Sequence, residues 1–257
     1  MLLSDSTVIV TGAASGLGEA TARYLAENEK CHVVLLDLSE DRGMGIAEGI
    51  GASFVRTDIT SASDVIRAVD SALGIAPLRG VVNCAGGGTS ARTVGRDASY
   101  ESAHDLDAFS RTITLNVIGT FNMIRIAASA MARNEPGPDG DRGAIVNTAS
   151  VAAFDGQVGQ ASYAAAKAAI VGMTLPIARD LADRGIRINT IAPGIFETPP
   201  MLAVPEAMLA SLGASVPFPK RLGHPPEFAS LAHQLLTNSY LNGEAVRLDG
   251  AIRMQPK

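Results

Sequence analysis

Thr7-Val8-Ile9-Val10-Thr11-Gly12-Ala13-Ala14-Ser15-Gly16-Leu17-Gly18 is a β-branched apolar run that ends in a glycine turn and passes into a helix-like segment reaching Asn28. Glycines let backbone amides approach a ligand closely. A helix N-terminus adds unpaired N–H groups and the positive end of a dipole, a setting suited to a pyrophosphate. The spacing is Gly-x3-Gly-x-Gly, which differs from the commoner dinucleotide fingerprint. Tight strand-to-helix connections that bind nothing also use glycine, so the neighbouring units decide the reading.

Working outward, His32-Val33-Val34-Leu35-Leu36 reads as a buried parallel strand that delivers Asp37 at its carboxyl end. A carboxylate roughly 20 residues past the glycine turn is placed to meet an adenosine ribose, although it also suits the cap of a following helix. A third strand, Ser53 to Arg56, leads to Asp58-Ile59-Thr60, and Ser61-x-x-Asp64 reads as a capping box that opens a helix to about Leu73. A fourth, Gly80 to Asn83, runs into Cys84-Ala85-Gly86-Gly87-Gly88. Strands alternating with helices over these lengths imply an α/β chain with a parallel sheet covered on both faces. Ligands of such sheets bind beyond the carboxyl ends of the strands, where these loops gather.

The second half extends the pattern. After a polar, irregular stretch from Thr89 to Asp105, Leu106 to Met131 reads as one long helix with Asn116 at its middle, an unfavourable helix residue that calls for a reason. Asn134 to Gly143 is a surface loop, and Ala144 to Thr148 is a fifth strand leading to Ser150. The helix carrying Tyr163 and Lys167 continues towards Asp183, with Pro176 expected to bend it near Gly172. Ile186 to Ile191 is a sixth strand ending in Ala192-Pro193-Gly194. A proline-interrupted flap then spans about 195–218, and a helix near Pro226 to Leu236 and a strand from Glu244 to Leu248 complete seven strands. The expectation is a Rossmann-type, doubly wound single domain over residues 1–257.

The chemistry centres on Ser150 to Lys167. Tyr163 and Lys167 stand one helical turn apart and share a face. An ammonium beside a phenol favours phenolate and so lowers a pKa near 10, as a tyrosine acid or base working near neutrality requires. Ser150 supplies a hydroxyl to hold a substrate oxygen. A Tyr-x3-Lys pair alone is more often a surface pair, and its weight comes from the surrounding segments.

Composition narrows the classes. The chain has 257 residues, 47% of them hydrophobic, enough for one sizeable core. Its net charge of -5, with basic residues scattered, argues against a nucleic-acid surface. Cys31 and Cys84 form no C-x-x-C, and His32, His104, His224 and His233 show no metal-ligand spacing, so reduced thiols and no structural metal are expected. A strand that begins almost at once, and no apolar stretch judged to reach spanning length, give the expectation of a cytoplasmic protein without a membrane segment.

Thr11-Gly12-x3-Gly16-x-Gly18, Asn83-x-Ala85-Gly86, Asn116, Ser150, Tyr163-x3-Lys167 and Pro193-Gly194 resemble, in order and spacing, the short-chain dehydrogenases/reductases over essentially the whole chain. Within that family, the runs 147–187 and 242–256 resemble the branch that interconverts (S)-3-hydroxyacyl-CoA and 3-oxoacyl-CoA with NAD. The resemblance implies coenzyme contacts from Gly12, Ser15, Gly16, Leu17, Gly18, Asp37, Asp58, Ile59, Asn83, Cys84, Ala85, Gly86, Tyr163, Lys167, Pro193, Phe196 and Thr198. It implies catalysis by Asn116, Ser150, Tyr163 and Lys167, with Asn116 helping to keep a proton-relaying water, and substrate contacts from Ser150, Tyr163 and, more weakly, Gln160. It also implies a homotetramer. Carrier-protein thioesters and steroids stay open as substrates, and a scaffold role stays open as a non-enzymatic alternative. Glu197 departs from the pattern, which has a small residue there, and is expected to reshape the flap.

Overall fold

The seven apolar runs become seven strands, all parallel, in the order β3-β2-β1-β4-β5-β6-β7, in a computed structural model that describes residue 1 and residues 3–256. The strands are β1 Thr7–Thr11, β2 His32–Asp37, β3 Ser53–Arg56, β4 Leu78–Asn83, β5 Gly143–Thr148, β6 Ile186–Pro193 and β7 Ala245–Leu248. The strand centres are apolar on both faces, and their side chains alternate between the two. Ile9, Val34, Val81, Ile145 and Ile188 enter one core, with the helices α3 Ala62–Leu73, α5 Gly119–Met131 and α6 Ala161–Leu181. Val8, Val10, Leu35, Val82, Val146 and Ile191 enter the other, with α1 Gly16–Asn28, α2 Glu40–Ile50 and α9 Pro225–Thr237. This two-sided burial is why the strands read as continuous hydrophobic runs.

The strand order reverses between β1 and β4, so their outgoing loops part and open a crevice at the carboxyl edge. Gly12 sits at the parting, at φ +64°, and a Cβ there would lie 2.7 Å from the Ala85 amide nitrogen. Thr11 Oγ1 fastens the two loops together by accepting from the amides of Cys84 (3.1 Å) and Ala85 (3.0 Å).

Two sequence expectations are corrected. Leu106–Met131 is not one α-helix: α4 covers Leu106–Ile113 and α5 begins at Gly119, with a wider π-helical turn, Thr114–Ile118, carrying Asn116 between them. Such turns mark functional sites often enough to explain an asparagine in mid-helix. The helix carrying Tyr163 runs from Ala161 to Leu181 and includes Pro176. Two segments, Leu106–Met131 and Ala161–Arg184, do have the length and apolar content of membrane-crossing helices. Both lie against the sheet, and part of their apolar surface, including Ile118, Phe121 and Leu175, faces outward. The flap folds into two short helices, α7 Pro199–Leu202 and α8 Glu206–Ser215.

Candidate active site

The cleft at the switch point, about 560 Å³ in volume, is walled on one side by the glycine turn and the ends of β2 and β3. Gly18 is confined there because a Cβ would collide with the Gly12 carbonyl. Ser15 starts α1 in an extended conformation without its side chain capping the helix, so the first-turn amides have no side-chain partner. Asp37 takes the place expected at the end of β2, its Oδ2 accepting from the Ala14 amide (3.0 Å) and its Oδ1 from the Ser39 amide (2.9 Å). Each oxygen keeps a lone pair for another donor. Asp58 is fixed from both directions. Its amide donates to Asp64 Oδ2 (3.1 Å), and its Oδ1 accepts from the Thr60 amide (2.8 Å) and hydroxyl (2.7 Å). The capping box is therefore half formed: Ser61 Oγ accepts from the Asp64 amide (3.3 Å), while the Asp64 carboxylate braces Asp58 instead of reaching back to Ser61.

The other wall carries the reactive hydroxyls. Ser150 follows β5 and accepts from the Ala152 amide (3.1 Å), opening a single tight turn, Val151–Ala153. Gln160 precedes α6, its Oε1 accepting from the Gln157 amide (3.0 Å), and α6 presents Tyr163 and Lys167 to the cleft. Lys167 Nζ lies 5.6 Å from the centre of the Tyr163 ring and donates to the Thr148 carbonyl (3.0 Å). Burial raises the Tyr163 pKa above 10, with the Ser150 hydroxyl pulling it the other way, and burial lowers Lys167 to about 8, opposed by Cys84. This corrects the sequence expectation in one respect: the lysine's charge does not by itself bring the phenol towards neutrality, and burial is the larger effect. Cys84 is likewise pushed up to about 11 by burial, with the Thr148 hydroxyl and Lys167 pulling it the other way.

Two expected site residues stand behind the cleft wall. Asn116 Nδ2 donates to the carbonyls of Gly87 (2.5 Å) and Thr112 (2.8 Å), and its Oδ1 accepts from the Gly87 amide (3.2 Å). It thus holds the loop after β4, and Gly86 must lack a side chain because a Cβ would lie 2.6 Å from Asn116 Oδ1 and 3.2 Å from Lys167 Nζ. Asn83 is not a wall of the cleft. Its buried side chain donates to Asn147 Oδ1 (2.9 Å), its register partner on β5, so it braces the sheet under the site.

The remaining expected contacts, Gly12, Gly16, Leu17, Ile59, Ala85, Pro193, Phe196 and Thr198, all line the cleft. Phe196 is seated edge-on against Phe228, with ring centres 6.5 Å apart. Glu197 does not enter the cleft. It pairs with His224 Nδ1 (2.8 Å) at the start of α9 and so ties down the base of the flap. Residue-by-residue reading missed Leu115 beside the π turn, Pro200 and Met201 in the flap, and Met254 near the carboxyl end. Apolar residues in irregular segments carry no local signal of what they face.

A doubly wound parallel sheet with an uncapped glycine turn at its switch point, and with Ser150, Tyr163 and Lys167 across the crevice, defines a dehydrogenase-type oxidoreductase. Residues 6–208 match the short chain dehydrogenase family, and the chain belongs to it. The chain is 50% identical over 258 residues to a 3-hydroxyacyl-CoA dehydrogenase type-2 of Drosophila melanogaster, covering 99% of this chain and all of that one. It is 49% identical to the human protein of the same name, covering 96% and 95% of the two chains. The crystal structure of a 3-hydroxyacyl-CoA dehydrogenase type-2 from Mycobacterium avium superposes with a TM-score of 0.94 at 47% identity, covering 98% of each chain.

Proposed function

We propose that this enzyme interconverts 3-hydroxyacyl-CoA and 3-oxoacyl-CoA with NAD as coenzyme. The observation that carries the reading is the likeness at about half identity, along the whole length, to proteins named for that reaction, joined to a cleft that seats the Ser150, Tyr163 and Lys167 set intact.

The residues present fit a dinucleotide. Side chains at Gly12 or Gly18 would collide with the backbone of the β4 loop or of the turn itself and push the cradle at the start of α1 out of shape; its amides stand free of a side-chain cap, and Asp37 lies where a ribose diol would donate to it. Neither Ser15 nor Leu38, both in the cleft wall, offers a cation to a 2′-phosphate, which supports NAD over NADP. NAD, when bound, supplies the hydride acceptor for oxidation, and its reduced form the donor for the reverse reaction. Ser150 and Tyr163 hold the substrate's C3 oxygen between them, and Tyr163 takes its proton during oxidation and returns it during reduction. Lys167, buried and held by the Thr148 carbonyl, places a positive charge beside the phenol and would donate to the nicotinamide ribose. Asn116 fixes the loop of Gly86 and Gly87 against that lysine.

The outward apolar residues of the α4–α5 and α6 segments, including Ile118, Phe121 and Leu175, support a homotetramer built on these helices, which light scattering at micromolar concentration tests. For the activity, acetoacetyl-CoA, longer 3-oxoacyl-CoAs, a carrier-protein thioester and a steroid ketone are assayed with both coenzymes. CoA thioesters reduced with NADH are the expected best pair. A carrier-protein thioester preferred with NADPH, or a steroid preferred over every thioester, overturns the reading.

A further inference from the structure

Beyond β7 the chain turns back on itself. Gly250 and Ala251 both have positive φ (+57° and +67°), and the Ile252 amide donates to the Asp249 carbonyl (3.1 Å), the pattern of a type I′ turn. A non-glycine residue adopts that conformation only when its surroundings hold it. Past the turn the tail forms a strap. Arg247 Nη2 donates to Asp155 Oδ2 (2.5 Å) and to the Ile252 carbonyl (3.0 Å), its Nε donates to Asp249 Oδ2 (2.7 Å), and its guanidinium lies 5.2 Å from the centre of the Phe154 ring. Further on, Gln157 Nε2 donates to the Gln255 carbonyl (2.8 Å), and the Val158 amide donates to the Pro256 carbonyl (3.0 Å). The tail is thus fastened, before and after residue 254, to the segment 154–158 that joins Ser150 to Gln160 and Tyr163.

Of residues 253–256, Met254 alone is not exposed. Arg253, Gln255 and Pro256 are exposed, whereas Met254 is half-buried and lines the cleft with Ser150, Gln160 and Tyr163. An unbranched thioether adapts to an apolar group laid against it, and the bonded tail gives it a fixed backbone. We infer that Met254 is a specificity-determining residue that limits the acyl chain on the substrate, and that Arg247 is a positioning residue that holds it there. This rests on the proposed thioester activity. Removing the Met254 side chain enlarges the acyl side of the cleft, and the effect on discrimination is of the order that a few methylenes of pocket exert, about tenfold or more.

The experiment measures kcat/KM for acetoacetyl-CoA and for a 3-oxoacyl-CoA of medium chain length with the unmodified enzyme, Met254→Ala, Arg247→Ala and Arg247→Lys. Dissociation of NADH from each is measured in the absence of substrate. Met254→Ala is expected to shift the long-to-short ratio by about tenfold towards the longer chain, with NADH binding unchanged. Arg247→Ala is expected to move the ratio the same way, chiefly through KM and not kcat, with Arg247→Lys recovering part of the original value. A ratio unchanged in Met254→Ala, with short-chain activity retained, overturns the role of Met254. A ratio unchanged in folded Arg247→Ala overturns that of Arg247. If the unmodified enzyme turns over no CoA thioester at all, the proposed function itself falls, an outcome distinct from either.

Discussion

The two walls of the cleft are held by different means. On the coenzyme side, Gly12, Gly18, Asp37 and Asp58 are placed by backbone geometry and bonds to amides: the close approach of β1 and β4, and the amides of Ala14 and Ser39 on Asp37. On the substrate side, the flap and the tail are held by side chains far apart in sequence, Glu197 with His224 and Arg247 with Asp155. Backbone placement ties a site to the fold, so it tolerates little change. Side-chain latches can be exchanged without disturbing the sheet, and they are where a change of substrate is most readily accommodated. The chemistry sits on the second wall, facing the coenzyme side, with Tyr163 and Lys167 presented by α6.

The largest expected effect lies in that chemistry. Tyr163→Phe is expected to lower turnover by about 10²–10⁴-fold, the usual worth of acid–base help, while NAD binding measured by calorimetry stays nearly unchanged. More than roughly a tenth of the original turnover in a chemistry-limited assay would remove Tyr163 from its role.

A smaller effect sharpens the same point through pH. Lys167 falls to about 8 in the folded chain from the ordinary 10.5, so below about pH 8 it is charged in both states and its burial opposes folding in full. Between about pH 8 and 10.5 the folded state gives up its proton first, and stability contributed by this residue rises with pH. Tyr163 acts in the opposite direction: its raised pKa means that stability is lost once the unfolded phenol ionises above pH 10. Cys31 and Cys84, both raised to about 11 by burial, cost stability between about pH 9 and 11, so the lysine's share is read as the difference in denaturant unfolding between the unmodified protein and Lys167→Met, which is expected to grow by as much as a few kcal/mol from pH 8 to 10.5. The same slope in both proteins would place the lysine's charge elsewhere than in a dry site.

The smallest effect belongs to a latch. Glu197→Ala breaks a hydrogen-bonded Glu–His contact whose partners are each more than a third exposed, and such exposed contacts contribute about 1 kcal/mol at most. Coenzyme KM is expected to stay within experimental scatter, with any change confined to the substrate. A large loss of NAD affinity would erase the distinction between the two walls.

Legibility in the sequence follows the same division. β1, the glycine turn and Asp37 are readable because strand burial, glycine and the end of a strand are local signals. Tyr163, Lys167 and Ser150 are readable because a helical repeat and a strand end place them. The π turn is not, since a widened turn has no composition of its own, and Asn116 stands out in the sequence only as an anomaly. Asn83 is expected at the coenzyme only through the family motif it belongs to; its pairing with Asn147 depends on which strands are neighbours. The contacts of Glu197 with His224 and of Arg247 with Asp155 join residues 27 and 92 positions apart, beyond any local pattern.

The most direct test of the central claim, a nicotinamide oxidoreductase whose coenzyme is chosen by Asp37, is the ratio of kcat/KM with NADH to that with NADPH for acetoacetyl-CoA reduction. It is measured for the unmodified enzyme and for Asp37→Ala. Asp37 would face the added 2′-phosphate, and two unit charges about 4 Å apart repel by about 4 kcal/mol at an effective dielectric near 20. NADH is therefore expected to be favoured at least about a hundredfold, with the ratio narrowing in the variant chiefly through weaker use of NADH. Equal or better efficiency with NADPH in the unmodified enzyme would contradict it.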